Sequence, residues 1–265
     1  MKDPRSVLIT GASGGIGQAL ALAYAAPGVA LALTGRAPGR LEQAAEACRA
    51  RGAAARTARI DVTDTDTMAH WIGEVNHETP LDLVIANAGI SAGTGGTGGA
   101  AGESDEQVRR IFAVNVDGVL NTILPAIPLM AGREPREGVR GQIAIMSSLA
   151  AFRGFPGVPA YSASKAAVKT YGEALRGMLK GHGIEVSVIC PGFVKSPMTA
   201  ANPYPMPLLM EADRAALLIK RRLARGGARI AFPLPLYALV WLIGALPPAL
   251  TDPLLSRLPE KPPMA

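Results

Sequence analysis

Tyr161-Ser162-Ala163-Ser164-Lys165 sets a phenol and an ammonium four positions apart. On a helix that spacing puts both on one face, one turn apart. A free tyrosine gives up its proton only near pH ~10. A cation beside it favours the phenolate and lowers that value. The phenol can then act as an acid or base closer to neutrality. Ser148 lies thirteen residues before Tyr161 and follows a strand-like run, 142–147. It could supply a second hydroxyl. Tyr-x-x-x-Lys arises by chance in many helices, so its weight depends on a cofactor site facing it.

Such a site is written near the N-terminus. Gly11-Ala12-Ser13-Gly14-Gly15-Ile16-Gly17 lies between the apolar run 6–10 and an Ala/Leu-rich stretch reaching about Ala26. Glycine between a strand and a helix lets the backbone turn tightly and approach a pyrophosphate, and the helix N-terminus adds free N–H groups and positive dipole. The spacing Gly-x-x-x-Gly-x-Gly differs from the Gly-x-Gly-x-x-Gly fingerprint. A plain tight turn is the alternative. At the end of the second apolar run comes Thr34-Gly35-Arg36, with no carboxylate to hold a ribose 2′-hydroxyl. Arg36 suits a 2′-phosphate, so NADP(H) is expected over NAD(H).

The elements that must position these groups alternate. Strands are expected at 6–10, 29–34, 54–60, 81–86, 142–147, 184–190 and 229–232, with helices between them. Pro125 and Pro128 are expected to bend or end the helix that begins near Ser104. Near-continuous apolar strands alternating with helices imply α/β: a Rossmann-type, doubly wound parallel sheet of about seven strands with helices on both faces. One domain is expected over 1–229, followed by an apolar, proline-rich extension over 230–265. The Gly/Thr-rich stretch 93–102 lacks Gly-Lys-Ser/Thr and is expected to be a mobile loop at the pocket rim.

Composition removes several classes. The chain has 265 residues, 49% of them hydrophobic, which supports a sizeable core and argues against disorder. A net charge of +6 with aromatic residues at only 5% argues against nucleic-acid binding. Cys48 and Cys190 are too few for a disulfide framework, which points to a reducing cytoplasm. His70, His77 and His182 show no metal-ligand spacing, so no metal is expected. No signal peptide is evident at the start.

Taken together these residues resemble the short-chain dehydrogenase/reductase superfamily, in its common single-domain NAD(P)-dependent form, over roughly residues 5–200. Gly11 to Gly17 is similar to its cofactor loop. Asp61 and Val62 match the pair that contacts adenine. Asn87-Ala88-Gly89 matches three residues of the Asn-Asn-Ala-Gly turn after the fourth strand, with Ala86 in place of the first Asn. Asn115, Ser148, Tyr161 and Lys165 match the catalytic tetrad. Pro191-Gly192-Phe193-Val194-Lys195-Ser196 resembles the segment that holds the nicotinamide carboxamide, with Ser196 where threonine is usual. The resemblance implies that Lys165 holds the nicotinamide ribose and acidifies Tyr161. Tyr161 then exchanges a proton with the substrate oxygen, Ser148 donates to that oxygen, and Asn115 holds a water linking Lys165 to solvent. It also implies a small-molecule carbonyl or alcohol substrate, and a homodimer or homotetramer through the helices carrying Asn115 and Tyr161.

Beyond Ser196 the resemblance is loose. The proline-rich stretch 202–207 leads into Leu208-Leu209-Met210 and reads as a lid or a plain solvent loop. Phe152, Phe155, Pro156, Val158 and Phe193 are expected to line an apolar pocket, favouring a hydrophobic or lipid-like substrate. The stretch 230–250 is almost wholly apolar, and Lys220, Arg221, Arg222, Arg225 and Arg229 precede it. Three readings stand: contact with a membrane surface through 220–250, packing on a second subunit or over the substrate, or a membrane span. The first would place the chain peripherally on the inner face of the membrane. The expected activity is NADPH-dependent carbonyl reduction or its reverse. The alternatives are a non-catalytic dinucleotide sensor or scaffold, and a reductase of a cell-envelope or surface-polysaccharide precursor.

Overall fold

The computed structural model describes residues 1–94, 102–258 and 261–263. Alternating apolar runs and helices build a parallel sheet of seven strands in the order β3-β2-β1-β4-β5-β6-β7. The strands are β1 Ser6–Thr10, β2 Ala30–Thr34, β3 Ala54–Ala58, β4 Leu83–Ala86, β5 Gly141–Met146, β6 Ile184–Pro191 and β7 Arg229–Phe232. The helices are α1 Gly15–Tyr24, α2 Pro38–Arg49, α3 Thr65–Glu78, α4 Asp105–Phe112, α5 Gly118–Ile123, α6 Ala126–Ala131, α7 Pro159–Leu179, α8 Pro197–Ala200, α9 Ala212–Leu223, α10 Leu234–Ala245 and α11 Pro248–Leu255.

Both faces of the sheet are covered, which is why its strands read as continuous apolar runs. Successive side chains point to opposite faces. Val7, Ile9, Leu31, Leu33 and Ile85 pack with Leu20, Leu41, Ile219 and Leu223 of α1, α2 and α9. Leu8, Ala32, Val84, Ile143 and Ile145 pack with Met68, Ile72, Ile123, Val168 and Leu175 of α3, α5 and α7. The chain leaves β1 toward β2 and β3, then returns to place β4 on the other side of β1. That reversal opens a crevice at the carboxyl ends of the strands, where ligands of open α/β sheets bind.

Two expectations need adjusting. Pro125 interrupts the helical run, but Pro128 does not end it. Pro128 sits in the first turn of α6, where no intrahelical N–H is needed. The whole stretch Asp105–Ala131 is long and apolar enough to cross a membrane by length and composition, yet it carries Ile111, Val119, Ile123 and Met130 into the interior. The apolar tail leaves the sheet only after β7, whose Ile230 and Phe232 are core residues. The span reading fails for the tail: α10 has twelve residues, roughly 18 Å of helix against a hydrocarbon core of ~30 Å. Of the glycine-rich stretch 93–102, residues 95–101 lie outside the described part of the structure.

Candidate active site

β1 delivers Gly11 to the crevice with φ +68, and α1 begins at Gly15 with φ +55. A side chain at either position would be strained, and one on Gly15 would begin 2.9 Å from Ser196 Cβ. Gly17 packs so closely that its Cβ would meet the Gly11 carbonyl oxygen. Gly14 caps α1 without a side-chain hydrogen bond, and its open side faces Pro197. Ile16 turns into the core beside α9. The loop from Gly11 to Gly17 and the segment from Pro191 to Ser196 therefore form two walls of one groove.

Thr10, the residue that opens the cofactor-loop motif, ties this groove to the turn after β4. Its hydroxyl accepts from the backbone N–H of Asn87 and Ala88, each at 3.1 Å, and Asn87 Nδ2 donates to the Thr10 carbonyl at 2.9 Å. Opposite, Gly192 N–H donates to the Phe232 carbonyl, and Val194 bridges to Met210. Ser196 caps α8 in a reciprocal box with Thr199. Arg36 lies just beyond β2, exposed and without a hydrogen-bond or ion-pair partner among the described residues. Ser13 is its neighbour through Gly35, whose Cβ would begin 3.0 Å from Ser13 Oγ. Asp61 is exposed and holds the Thr63 backbone and hydroxyl, while Val62 is buried.

Asn115 sits in a π-helical turn, Ala113–Asp117, between α4 and α5. A π turn inside an α-helix often marks a functional position. Here it lets one amide do three things. Asn115 Oδ1 accepts from Ile90 N–H at 2.8 Å, and Nδ2 donates to the Ile90 carbonyl at 2.9 Å and to Ser164 Oγ at 3.0 Å. Ser164 in turn donates to the Tyr161 carbonyl at 2.8 Å. This serine lies inside the Tyr-x-x-x-Lys motif, and its spacing gave no sign of the link to Asn115.

Tyr161 and Lys165 share one face of α7, with the ammonium 5.9 Å from the phenol ring centre. Lys165 Nζ donates to the Met146 carbonyl at the end of β5, at 3.0 Å. Burial pulls its pKa down to about 8. Ser148 starts a short 3-10 turn, Leu149–Ala151; its hydroxyl accepts from the Ala150 N–H at 3.1 Å and stands close enough to the Tyr161 phenol to lower its pKa. Ser147 turns away and donates to the Lys165 carbonyl. The expectation of a phenol acidified by Lys165 is not met within the protein's own environment. Burial is the larger effect and raises the pKa of Tyr161; the Ser148 hydrogen bond lowers it only in part. Tyr204, on the segment after α8, lies near enough to raise it further.

One residue expected to line the pocket packs elsewhere. Phe152 faces away from the crevice, packing edge-on against Tyr237 of α10 at 5.2 Å and lying under Lys169 and Arg229. It anchors the tail. Among the described residues no group of His, Cys, Asp and Glu could hold a metal.

Residues 5–205 match the short chain dehydrogenase family. An uncharacterized oxidoreductase of Myxococcus xanthus is 40% identical over 96% of this chain and 97% of its own. The 11-beta-hydroxysteroid dehydrogenase 1A of Arabidopsis thaliana is 35% identical over 73% of this chain and 53% of its own. A short chain dehydrogenase/reductase of Burkholderia phymatum, solved in complex with NAD, superposes with a TM-score of 0.79 at 24% identity, covering 99% of both chains.

Proposed function

The chain belongs to the short chain dehydrogenase family, and from that premise we propose an NADPH-dependent oxidoreductase that converts a carbonyl of a hydrophobic or lipid-like molecule to a secondary alcohol, or the reverse. One observation carries the reading: Ser148, Tyr161, Lys165 and Asn115 converge at the carboxyl ends of β4 and β5, facing the groove that starts at Gly11.

A dinucleotide fits that groove. Side chains on Gly11, Gly15 or Gly89 would fill it. Gly14, Gly15 and the N-terminus of α1 offer N–H groups to a pyrophosphate. Asp61 and Val62 would flank the adenine. Asn87, Ala88 and Gly89 form the floor, and Pro191, Gly192, Val194 and Ser196 the facing wall. The bound cofactor supplies the hydride. Arg36 with Ser13 favours a 2′-phosphate, since no carboxylate stands at the end of β2 to hold a ribose hydroxyl. The 24%-identical chain solved with NAD does not bear on this preference.

The chain's own residues handle the proton. Tyr161 gives its phenolic proton to the substrate oxygen. Ser148, whose hydroxyl neighbours that phenol, turns its single O–H to the same substrate oxygen, where negative charge grows. Lys165 would hold the ribose hydroxyls of a bound dinucleotide, and it keeps a positive charge beside the tyrosinate that forms. Asn115 lines the route by which a solvent proton returns to Lys165.

Leu208 and Leu209, exposed on the segment over the crevice, support an apolar substrate. The plant relative is named for steroid dehydrogenation. The test is reduction of a ketone panel, and oxidation of matching alcohols, with NADPH and NADH in parallel. Dinucleotide binding without turnover across the panel would favour a sensor instead. We further propose self-association through α4 to α7, where Phe112, Leu124, Tyr171 and Met178 are exposed, in a cytoplasmic protein that touches the membrane surface through α10 and α11.

A further inference from the structure

Residues 261–263 lie against the loop that follows β4. Gly93 N–H donates to the Pro262 carbonyl at 2.8 Å. A Cβ on Gly93 would begin 2.3 Å from the Lys261 carbonyl oxygen and 2.7 Å from that of Gly157. The C-terminal strap, the loop after β4 and the loop before α7 are thus in backbone contact around the mouth of the crevice.

Lys261 drives its side chain into that mouth. Nζ donates to Ser91 Oγ at 3.1 Å and, at 3.4 Å, to the Met198 carbonyl on α8. Ser91 is two residues past Gly89, which abuts Lys165 and Asn115. Met198 is two residues past Ser196, which abuts Gly15. The ammonium therefore bridges both walls of the cleft. Lys261 as a whole is only 7% exposed, and among the described residues no carboxylate lies within ion-pair distance of its ammonium. Two neutral oxygens serve three N–H donors. An ammonium buried without a counter-charge is costly, and burial lowers its pKa to about 8. Phosphates of a dinucleotide already have the N-terminus of α1; Ser91 follows Gly89 on the loop after β4, two residues past the contact with Lys165 and Asn115.

We propose that Lys261 binds a carboxylate on the substrate, so that the molecule reduced is an acidic amphiphile: an apolar chain or ring system bearing the carbonyl, with an ionised end held by the C-terminal strap. This rests on the carbonyl-reductase reading above and narrows its substrate class.

The experiment uses the full-length protein saturated with NADPH. Affinities are measured for medium-chain oxo-carboxylates and for their methyl esters, in the parent, Lys261→Met and Lys261→Arg. The parent is expected to favour acid over ester by about tenfold, the size of one charge-assisted hydrogen bond. Lys261→Met should bring that ratio to about one, and Lys261→Arg should largely keep it. A strap that is only structural would weaken both ligands together and leave the ratio unchanged, which overturns the proposal. So does a parent that shows no preference for the acid. An intact ratio with weakened NADPH binding in Lys261→Met would assign the anion to the dinucleotide and overturn it too. NADPH failing to bind the parent at all would remove the carbonyl-reductase reading itself, a separate result from acid and ester parity with NADPH bound.

Discussion

Asn115 and Lys165 face each other across Gly89: Asn115 Oδ1 and Lys165 Nζ each lie 3.1 Å from the point where a side chain on Gly89 would begin. The π turn sets one of these groups and α7 sets the other. Neither element is visible to its partner in sequence. A space opens between them beside Gly89. It exists because position 89 has no side chain and because Lys165 is held by the Met146 carbonyl rather than by a carboxylate.

That arrangement makes Lys165 a stability liability with a defined pH range. Its pKa falls from 10.5 to about 8 on folding, through burial. Between those values the unfolded chain binds more protons, so stability rises with pH across that window. Below it the full penalty is present. Lys165→Met is expected to be more stable than the parent at neutral pH, by up to about 3 kcal/mol. The gap should close as pH climbs from about 8 toward 10.5. Urea unfolding of both proteins across that range checks it. A gap that stays constant with pH would show that the ammonium is not the cause.

Tyr161 and Ser148 should separate chemistry from binding. Tyr161→Phe removes the proton donor and is expected to lower kcat by roughly 10²–10⁴-fold. Ser148→Ala removes a donor to the growing negative charge and should cost about 10²–10³-fold. Both should bind dinucleotide as the parent does, read by quenching of protein fluorescence. Full turnover in Tyr161→Phe would reassign the acid. Tyr204, already close to Tyr161, would be the next group to test.

Arg36 should set the choice of cofactor. It is exposed and unpaired among the described residues, so its removal disturbs little else. Arg36→Ala is expected to raise KM for NADPH about 10- to 100-fold, the worth of a charge-assisted bond of ~1.5–3 kcal/mol. KM for NADH should stay within about twofold, since an exposed substitution of this kind usually has little effect. Equal effects on both cofactors would place the 2′-phosphate elsewhere.

Most of this fold was readable because both faces of the sheet are buried. Each strand announces itself as an apolar run, and the order of runs and helices leaves few topologies open. The glycine loop and the residues spaced along one helix were readable for the same local reason. What was not readable depends on contacts between distant segments. The π turn around Asn115 looks like ordinary helix in sequence. Phe152 looked like pocket lining because nothing near it in sequence announces Tyr237. The raised pKa of Tyr161 follows from how deeply α7 is packed, which the spacing of the motif does not reveal. Lys261 was invisible for the plainest reason: it is 170 positions from Ser91.

The tail supplies the last prediction. α10 is apolar on every side, but only one side is covered. Gly244 backs onto the Phe152 carbonyl, Tyr237 packs on the Phe152 ring, and Arg153 holds Asp252 of α11 at 2.6 Å. The opposite side leaves Leu239 and Trp241 each 53% exposed, continuous with Leu242, Leu246, Leu250 and Leu254. The cations before β7 do not form one patch with it. Lys220 lies over Tyr24 and donates to the Ala23 carbonyl, and Arg229 pairs with Glu173. Arg221 and Arg222 lie in the last turn of α9 and Arg225 follows it, all before β7, whose four residues set about 13 Å of strand between them and α10. Membrane contact should therefore depend mainly on apolar burial and only weakly on salt. The full-length protein is expected to float with phospholipid vesicles, and Leu239→Glu combined with Trp241→Glu should abolish flotation. Both positions are exposed, so melting temperature and NADPH binding should hold. If the double variant still floats, another surface makes the contact. If the parent never floats but the variant alone becomes monomeric, the leucines of α10 and α11 cover a second subunit and not a bilayer.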